Sequence, residues 1–187
     1  KQTGWYTPTG GIWQTVYLEG RGDAYLSRAH VTPDVDGKRA IVNCEIQTPA
    51  AGTYRIESIA WLGLDSATPT TGGLQGAATV QCTPGPNHVQ IEIPIPEPKL
   101  WSPDSPDLYA LNLSLYKNAV TLAKEETPVD TVRTYFGMRK VSRGLYGDSA
   151  HEFILLNDKP IYLRGALHQS FTPEGLYTHP DDDYLRR

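Results

Sequence analysis

Hydrophobic and polar positions alternate along short stretches of this chain, most cleanly within residues 98–116. Tyr109, Leu111, Leu113 and Leu115 share one face of an extended chain. Ala110, Asn112, Ser114 and Tyr116 share the other. A period of two with polar residues on one side predicts a half-buried strand. Pro103 and Pro106 stiffen the turn that leads into it. Trp101 precedes that corner and Tyr109 follows it. Two large aromatics around a proline corner predict a plug at the end of a sandwich core, with the tyrosine hydroxyl anchored on nearby backbone.

The same period recurs on both sides. Strands are predicted over 24–32, 39–47, 53–64, 77–82, 89–95, 108–116, 120–125 and 129–141. In the second, Ala40, Val42, Cys44 and Ile46 share a face. In the fifth, Val89, Ile91 and Ile93 do. The third alternates Tyr54, Ile56, Ser58, Ala60 and Leu62 with Arg55, Glu57, Ile59 and Trp61. Both of its faces carry apolar residues, so its inward face stays open. Residues 34–38 read as a hairpin turn in which Gly37 supplies positive φ. Residues 66–76, rich in Thr, Gly and Pro, read as a long loop. Seven or eight short antiparallel strands separated by turn signals predict an all-β chain with an immunoglobulin-like β-sandwich over 23–141.

The flanks differ. After the Gly10-Gly11 turn signal, residues 12–19 alternate as a single strand. One strand is not a domain, so it pairs with the next domain or closes a preceding one. Residues 142–150 read as a glycine-containing linker. Two short strands follow at 153–156 and 161–164, joined by Asn157-Asp158-Lys159-Pro160, where Asn157 suits a left-handed conformation. After a loop at 165–178, His179-Pro180-Asp181-Asp182-Asp183 reads as a helix start. Strand, loop and helix start are how a βα unit begins.

Composition narrows the function classes. A net charge of −4 and a pI near 5.7 leave no basic field for nucleic acid or an anionic membrane. No apolar run approaches a membrane span, and no leader pattern is visible. The chain starts at Lys1 and reads as a piece of a larger protein, so its compartment stays open. Cys44 and Cys82 fit either a disulfide or two packed thiols, and are too few for a structural zinc site. The five histidines form no His-x3-His pair, so no metal or cofactor is expected. Arg21-Gly22-Asp23 matches an adhesion tripeptide but reads more simply as a polar interdomain linker. Glu174 and Asp181 to Asp183 read as a helix N-terminus rather than an acid/base cluster. Trp5, Tyr6 and Trp61 read as packing aromatics before sugar-stacking ones.

Four segments together resemble family 2 glycoside hydrolases, the group of β-galactosidases, β-glucuronidases and β-mannosidases. Gly10-Gly11-Ile12-Trp13-Gln14-Thr15-Val16-Tyr17-Leu18 is similar to the end of that family's sugar-binding jelly roll. Leu100-Trp101-Ser102-Pro103 through Leu108-Tyr109 is similar to the corner of its immunoglobulin-like domain. Val132-Arg133-Thr134-Tyr135-Phe136-Gly137-Met138-Arg139 resembles the strand leaving that domain. Phe153-Ile154-Leu155-Leu156-Asn157-Asp158-Lys159-Pro160-Ile161-Tyr162-Leu163-Arg164-Gly165 resembles the entry into its catalytic (β/α)8 barrel. The resemblance therefore implies a last jelly-roll strand at 1–22, a sandwich at 23–141 and the start of a barrel at 142–187.

It also implies a chemistry. The family hydrolyses β-linked O-glycosides with retention, using two glutamates whose carboxyl groups stand ~5–5.5 Å apart. The acid/base normally follows an asparagine, and this chain holds no Asn-Glu dipeptide. No catalytic residue is therefore expected within it. It is expected to be inactive alone and to act as the scaffold of a β-galactosidase-like enzyme with a carbohydrate substrate. Barrel sites lie at the C-terminal ends of strands, which makes Arg164, His168 and Gln169 candidate pocket residues. Gly165 matches the family there, while Leu167 and Gln169 replace its asparagine and histidine. The plainer reading gives Arg164 a structural ion pair and His168 a loop hydrogen bond. Two alternative functions are a carbohydrate-binding module and an adhesion module on the same sandwich. The apolar side of the hairpin, Phe153, Leu155, Ile161 and Leu163, needs cover. It is expected to fold back on the sandwich or to form a homo-oligomer.

Overall fold

The computed structural model describes residues 12, 15–69, 72–117, 127–167, 172, 175 and 179–186. The chain divides into two compact units, one of residues 21–162 and one of residues 1–20 with 163–187. The described strands all lie in the first: β1 (Tyr25–Asp34), β2 (Arg39–Thr48), β3 (Gly52–Leu62), β4 (Leu74–Cys82), β5 (Gly85–Pro94), β6 (Tyr109–Lys117), β7 (Asp130–Phe136), β8 (Val141–Leu145), β9 (Glu152–Leu156) and β10 (Lys159–Pro160). They form sheets of order β1-β2-β5, β4-β3-β6-β7 and β10-β9-β8, with antiparallel pairing throughout. The first two sheets face each other as the expected β-sandwich.

β6 sits inside its sheet, between β3 and β7. Its apolar set Tyr109, Leu111, Leu113 and Leu115 is buried to 3% exposure or less. From the opposite sheet, Val42 and Ile46 of β2 and Ile91 and Ile93 of β5 close the core. β3 resolves its ambiguity by burying both faces. Tyr54, Ile56, Ser58 and Ala60 point into the core. On the outer face the Arg55 guanidinium lies 4.6 Å from the centre of the Tyr116 ring, and that of Arg133 lies 5.8 Å from Trp61. Arg133 also donates to the carbonyls of Leu64 and Ser66, at 3.1 and 2.6 Å. These cationic stems cover the aromatics, so Trp61 is only 8% exposed. Ser58 is the polar residue of the inner face. Its hydroxyl donates to the Gly76 carbonyl at 2.9 Å. A side chain at Gly76 would collide with the Glu92 carbonyl and Ile91, so glycine there lets β4 close against β5.

The proline corner forms as expected. The Lys99 N–H donates to the Tyr109 hydroxyl at 2.9 Å. The Tyr109 ring stacks on Phe136, with centroids 5.3 Å apart. The Trp101 N–H donates to the Met138 carbonyl at 2.8 Å, and Met138 is fully buried.

Several expectations change. In the 34–38 turn the left-handed residue is Lys38, at φ 50°, and not Gly37. Gly37 is needed for space. Its N–H donates to the Asp34 carboxylate at 2.8 Å, and a Cβ would collide with that carboxylate. The expected single strand over 129–141 breaks at Gly137 and Met138, because Met138 turns into the core and pairs with Leu100. The expected linker at 142–150 is in part strand β8, paired with β9. Asn157 and Asp158 are both left-handed, at φ 50° and 65°. They make a two-residue turn, so β10 starts at Lys159 rather than at 161. Its ladder ends with the Ile161 N–H donating to Ile154, at 3.0 Å. The described residues of the strand expected over 12–19, residues 12 and 15–19, are not in a strand. The strand expected over 120–125 lies outside the described residues.

In the second unit, α1 (Asp182–Arg186) is the expected helix start. The Tyr184 N–H donates to the Asp181 carboxylate at 2.7 Å, an N-cap.

Cys44 and Cys82 are free and buried, and burial pushes both thiols up, Cys44 to about 11. Two measurements check the core and the corner. Neither thiol should react with a thiol-specific disulfide reagent at pH 8 in the folded protein, and both should react once urea unfolds it. Tyr109→Phe keeps the ring stack but leaves the Lys99 N–H without its acceptor. It should cost about 1–3 kcal/mol in urea unfolding and lower the Tm by a few degrees.

Candidate functional site at the exit of the sandwich

Of the three candidate pocket residues, Arg164 is exposed and lies outside any strand. His168 and Gln169 lie outside the described residues, as do Trp5, Tyr6 and Glu174. Trp61 offers no sugar platform, because Arg133 covers it. The acids at the helix start behave as a cap, and Asp183 pairs with Arg186 at 3.0 Å. Arg21 of the adhesion-like tripeptide is tied into the fold. It donates to the Leu26 carbonyl at 2.7 Å and lies over the Tyr25 ring at 4.9 Å. No group of three His, Cys, Asp or Glu among the described residues is placed to hold a metal.

Grooves among the described residues of the first unit lie at the following places. A groove of about 590 Å³ lies on the outer face of β1-β2-β5, among Arg28, His30, Asn43, Glu45, His88 and Gln90. It presents no Trp, Tyr or Phe. One of about 370 Å³ opens between the edge strands β1 and β7, with Trp101, Tyr135 and Arg139 along it. There the Arg139 guanidinium lies 4.9 Å from the Trp101 ring centre, so that indole face is already taken. One of about 490 Å³ lies between the proline corner and the β9–β10 turn, among Leu100, Pro103, Asp104, Asn157, Lys159 and Ile161.

The third groove sits where the chain leaves the sandwich. Asn157 on its wall and Lys140 nearby make the polar contacts of this exit. The Asn157 Nδ2 donates to the Trp101 carbonyl at 3.0 Å. Its Oδ1 accepts the Lys140 N–H at 3.0 Å, and its own N–H donates to the Lys140 carbonyl at 2.8 Å. Lys140 Nζ stands between Asp36 at 2.8 Å and Asp158 at 3.0 Å. Both carboxylates hold the ammonium charged and raise its pKa, Asp36 first. These two acids neutralise a lysine and do not form an acid/base pair. The backbone preference of Asn157 was readable from its turn. Its side-chain partner, a carbonyl 56 residues away, had no signal in the sequence.

Comparison with known proteins bears on the sandwich. A profile of the glycosyl hydrolases family 2 matches residues 24–139. A β-galactosidase of Vibrio vulnificus is 26% identical over 94% of this chain and 16% of its own length. One of Enterobacter cloacae is 23% identical over 88% and 15%. The chain thus spans about a sixth of the length of the curated relatives it matches. Among solved structures, a β-D-mannosidase from Dictyoglomus thermophilum superposes with a TM-score of 0.62 at 24% identity, covering 83% of this chain and 18% of its own. A Bacteroides uniformis β-glucuronidase gives 0.61 at 20%, covering 88% and 20%. The profile spans more than half of the chain and includes both the sandwich and its proline corner, so this chain belongs to the glycosyl hydrolases family 2.

Proposed function

We propose that this chain is the scaffold of a retaining glycosidase acting on β-linked sugars. In this reading residues 1–22 end a sugar-binding jelly roll, residues 23–141 are the joining sandwich, and residues 142–187 open a catalytic (β/α)8 barrel. The observation that supports it best is the family match over the sandwich, which runs to the edge of the β8–β10 sheet. The buried side chains of the sandwich go to packing. The two glutamates of retaining hydrolysis belong, in this proposal, to a barrel outside these 187 residues. Arg164, His168 and Gln169 then stand at the mouth of the first barrel strand and contact the sugar. A galactoside is the first substrate class to try, since the two curated relatives are named β-galactosidases. The carbohydrate-binding alternative is weaker, because neither described sheet face carries a row of open aromatics.

The apolar side chains of the small sheet bear on assembly. Of the expected apolar side Leu155 is buried and Phe153 is 39% exposed, while on the other face Val141, Leu145 and Ile154 are at least 46% exposed. A second copy covering them is the proposed homo-oligomer.

The test uses nitrophenyl β-glycosides, the galactoside first, then the glucuronide and mannoside. The 187-residue chain should release no nitrophenol. A longer protein carrying this chain should do so, and NMR of the first-formed sugar should show the β-anomer. Turnover by the 187 residues alone, or an inverted product, would contradict the proposal. Light scattering of the chain should give a dimer or larger, and a clean monomer would remove the assembly part.

A further inference from the structure

The small β8-β9-β10 sheet meets the corner of the sandwich beside a groove of about 490 Å³, and Leu155 of β9 is buried. Its attachment is short. The chain leaves the core at fully buried Met138, and β8 starts three residues later. Polar ties add to that covalent link. Lys140 reaches Asp36 in the β1–β2 turn, and Asn157 reaches the Trp101 carbonyl. The lysine tie is exposed at both ends, with Asp36 69% and Lys140 33% open. Such pairs contribute little singly and are screened by salt. The Asn157 tie is part-buried, and a buried amide left without its partner is costly.

We infer that Asn157 is a positioning residue whose amide fixes the direction of the β8-β9-β10 sheet against the sandwich. The two ends of its side chain do different work. Oδ1 accepts the Lys140 N–H and so extends the β8–β9 ladder within the small sheet. Nδ2 donates to Trp101 and so crosses to the sandwich. The backbone at φ 50° adds a third demand. Glycine meets the backbone demand alone. Aspartate tolerates that φ and keeps the acceptor but has no donor. Asparagine meets all three. Trp101 is itself held, through its N–H on the Met138 carbonyl and through Arg139 over its ring. The carbonyl that Asn157 grips is therefore fixed to the core. This inference concerns the chain itself and stands apart from the glycosidase proposal.

Residual dipolar couplings of the ¹⁵N-labelled chain test it, beside amide exchange of Lys140. In the native chain one alignment tensor should fit the N–H vectors of β1–β7 and of β8–β10. In Asn157→Gly the small sheet should need its own tensor. Lys140 exchange should rise roughly tenfold with the loss of its acceptor, while β2 and β6 amides keep their protection. Asn157→Asp should keep Lys140 protected and still lose the common tensor, because only the donor is gone. The inference is overturned if Asn157→Gly keeps a single tensor. It is also overturned if β2 and β6 lose protection along with Lys140, which would make Asn157 a residue of global stability. Should the glycine variant not fold, the aspartate variant decides, and a retained common tensor there overturns the inference equally.

Discussion

A hydrogen bond ties the stiff part of this chain to its core: the Lys99 N–H donating to the Tyr109 hydroxyl. The donor sits just before the proline corner, and the acceptor opens the strand that carries the most deeply buried row of leucines. Fixing these two points fixes the register of β6. A slip of one residue would turn Leu111, Leu113 and Leu115 outward and Asn112 and Ser114 inward. The Tyr109 ring passes the constraint to Phe136 by stacking. Two residues on, Met138 is buried and its carbonyl takes the Trp101 N–H. Corner, central strand and exit strand therefore close on one another.

The sequence made β2 and β6 readable because each buries one face and leaves the other polar. β3 resisted for a physical reason. Its outer face is roofed by arginines lying over aromatic rings, so Trp61 and Arg55 are buried on the side that should have been wet. Periodicity counts apolar residues and cannot see a roof made of cationic stems. The turns show a second limit. Glycine at 37 suggested backbone freedom, yet what it supplies is room beside Asp34, and Lys38 takes the left-handed conformation. At 157–158 the residue types gave the left-handed turn but not its length, which set β10 two residues early.

The candidate pocket was read from resemblance, and of its residues only Arg164 falls within the described chain. The junction was invisible for the opposite reason. Asn157 looked like a turn former, and nothing local says that its amide grips Trp101. Long-range polar contacts follow from tertiary placement, which a pattern of local preferences does not encode. Family membership is thus legible from the corner and the core, while the particular device that carries the chain out of the sandwich is legible only from coordinates.

A directional hydrogen bond at that exit has a physical logic. Burial of apolar area is non-directional. Two elements held only by a greasy contact keep freedom to slide and rotate. An amide bonded at both ends constrains angle as well as distance, since N–H donors weaken steeply away from linearity. The sandwich has ample apolar burial to hold itself together, and its exit needs orientation more than adhesion. Within the proposed enzyme that difference would matter. A small angular error at the exit grows with distance along a rigid body, and catalysis tolerates misplacement of about 1 Å poorly. An asparagine amide on a fixed carbonyl adds direction to that contact, beside a groove that stays open.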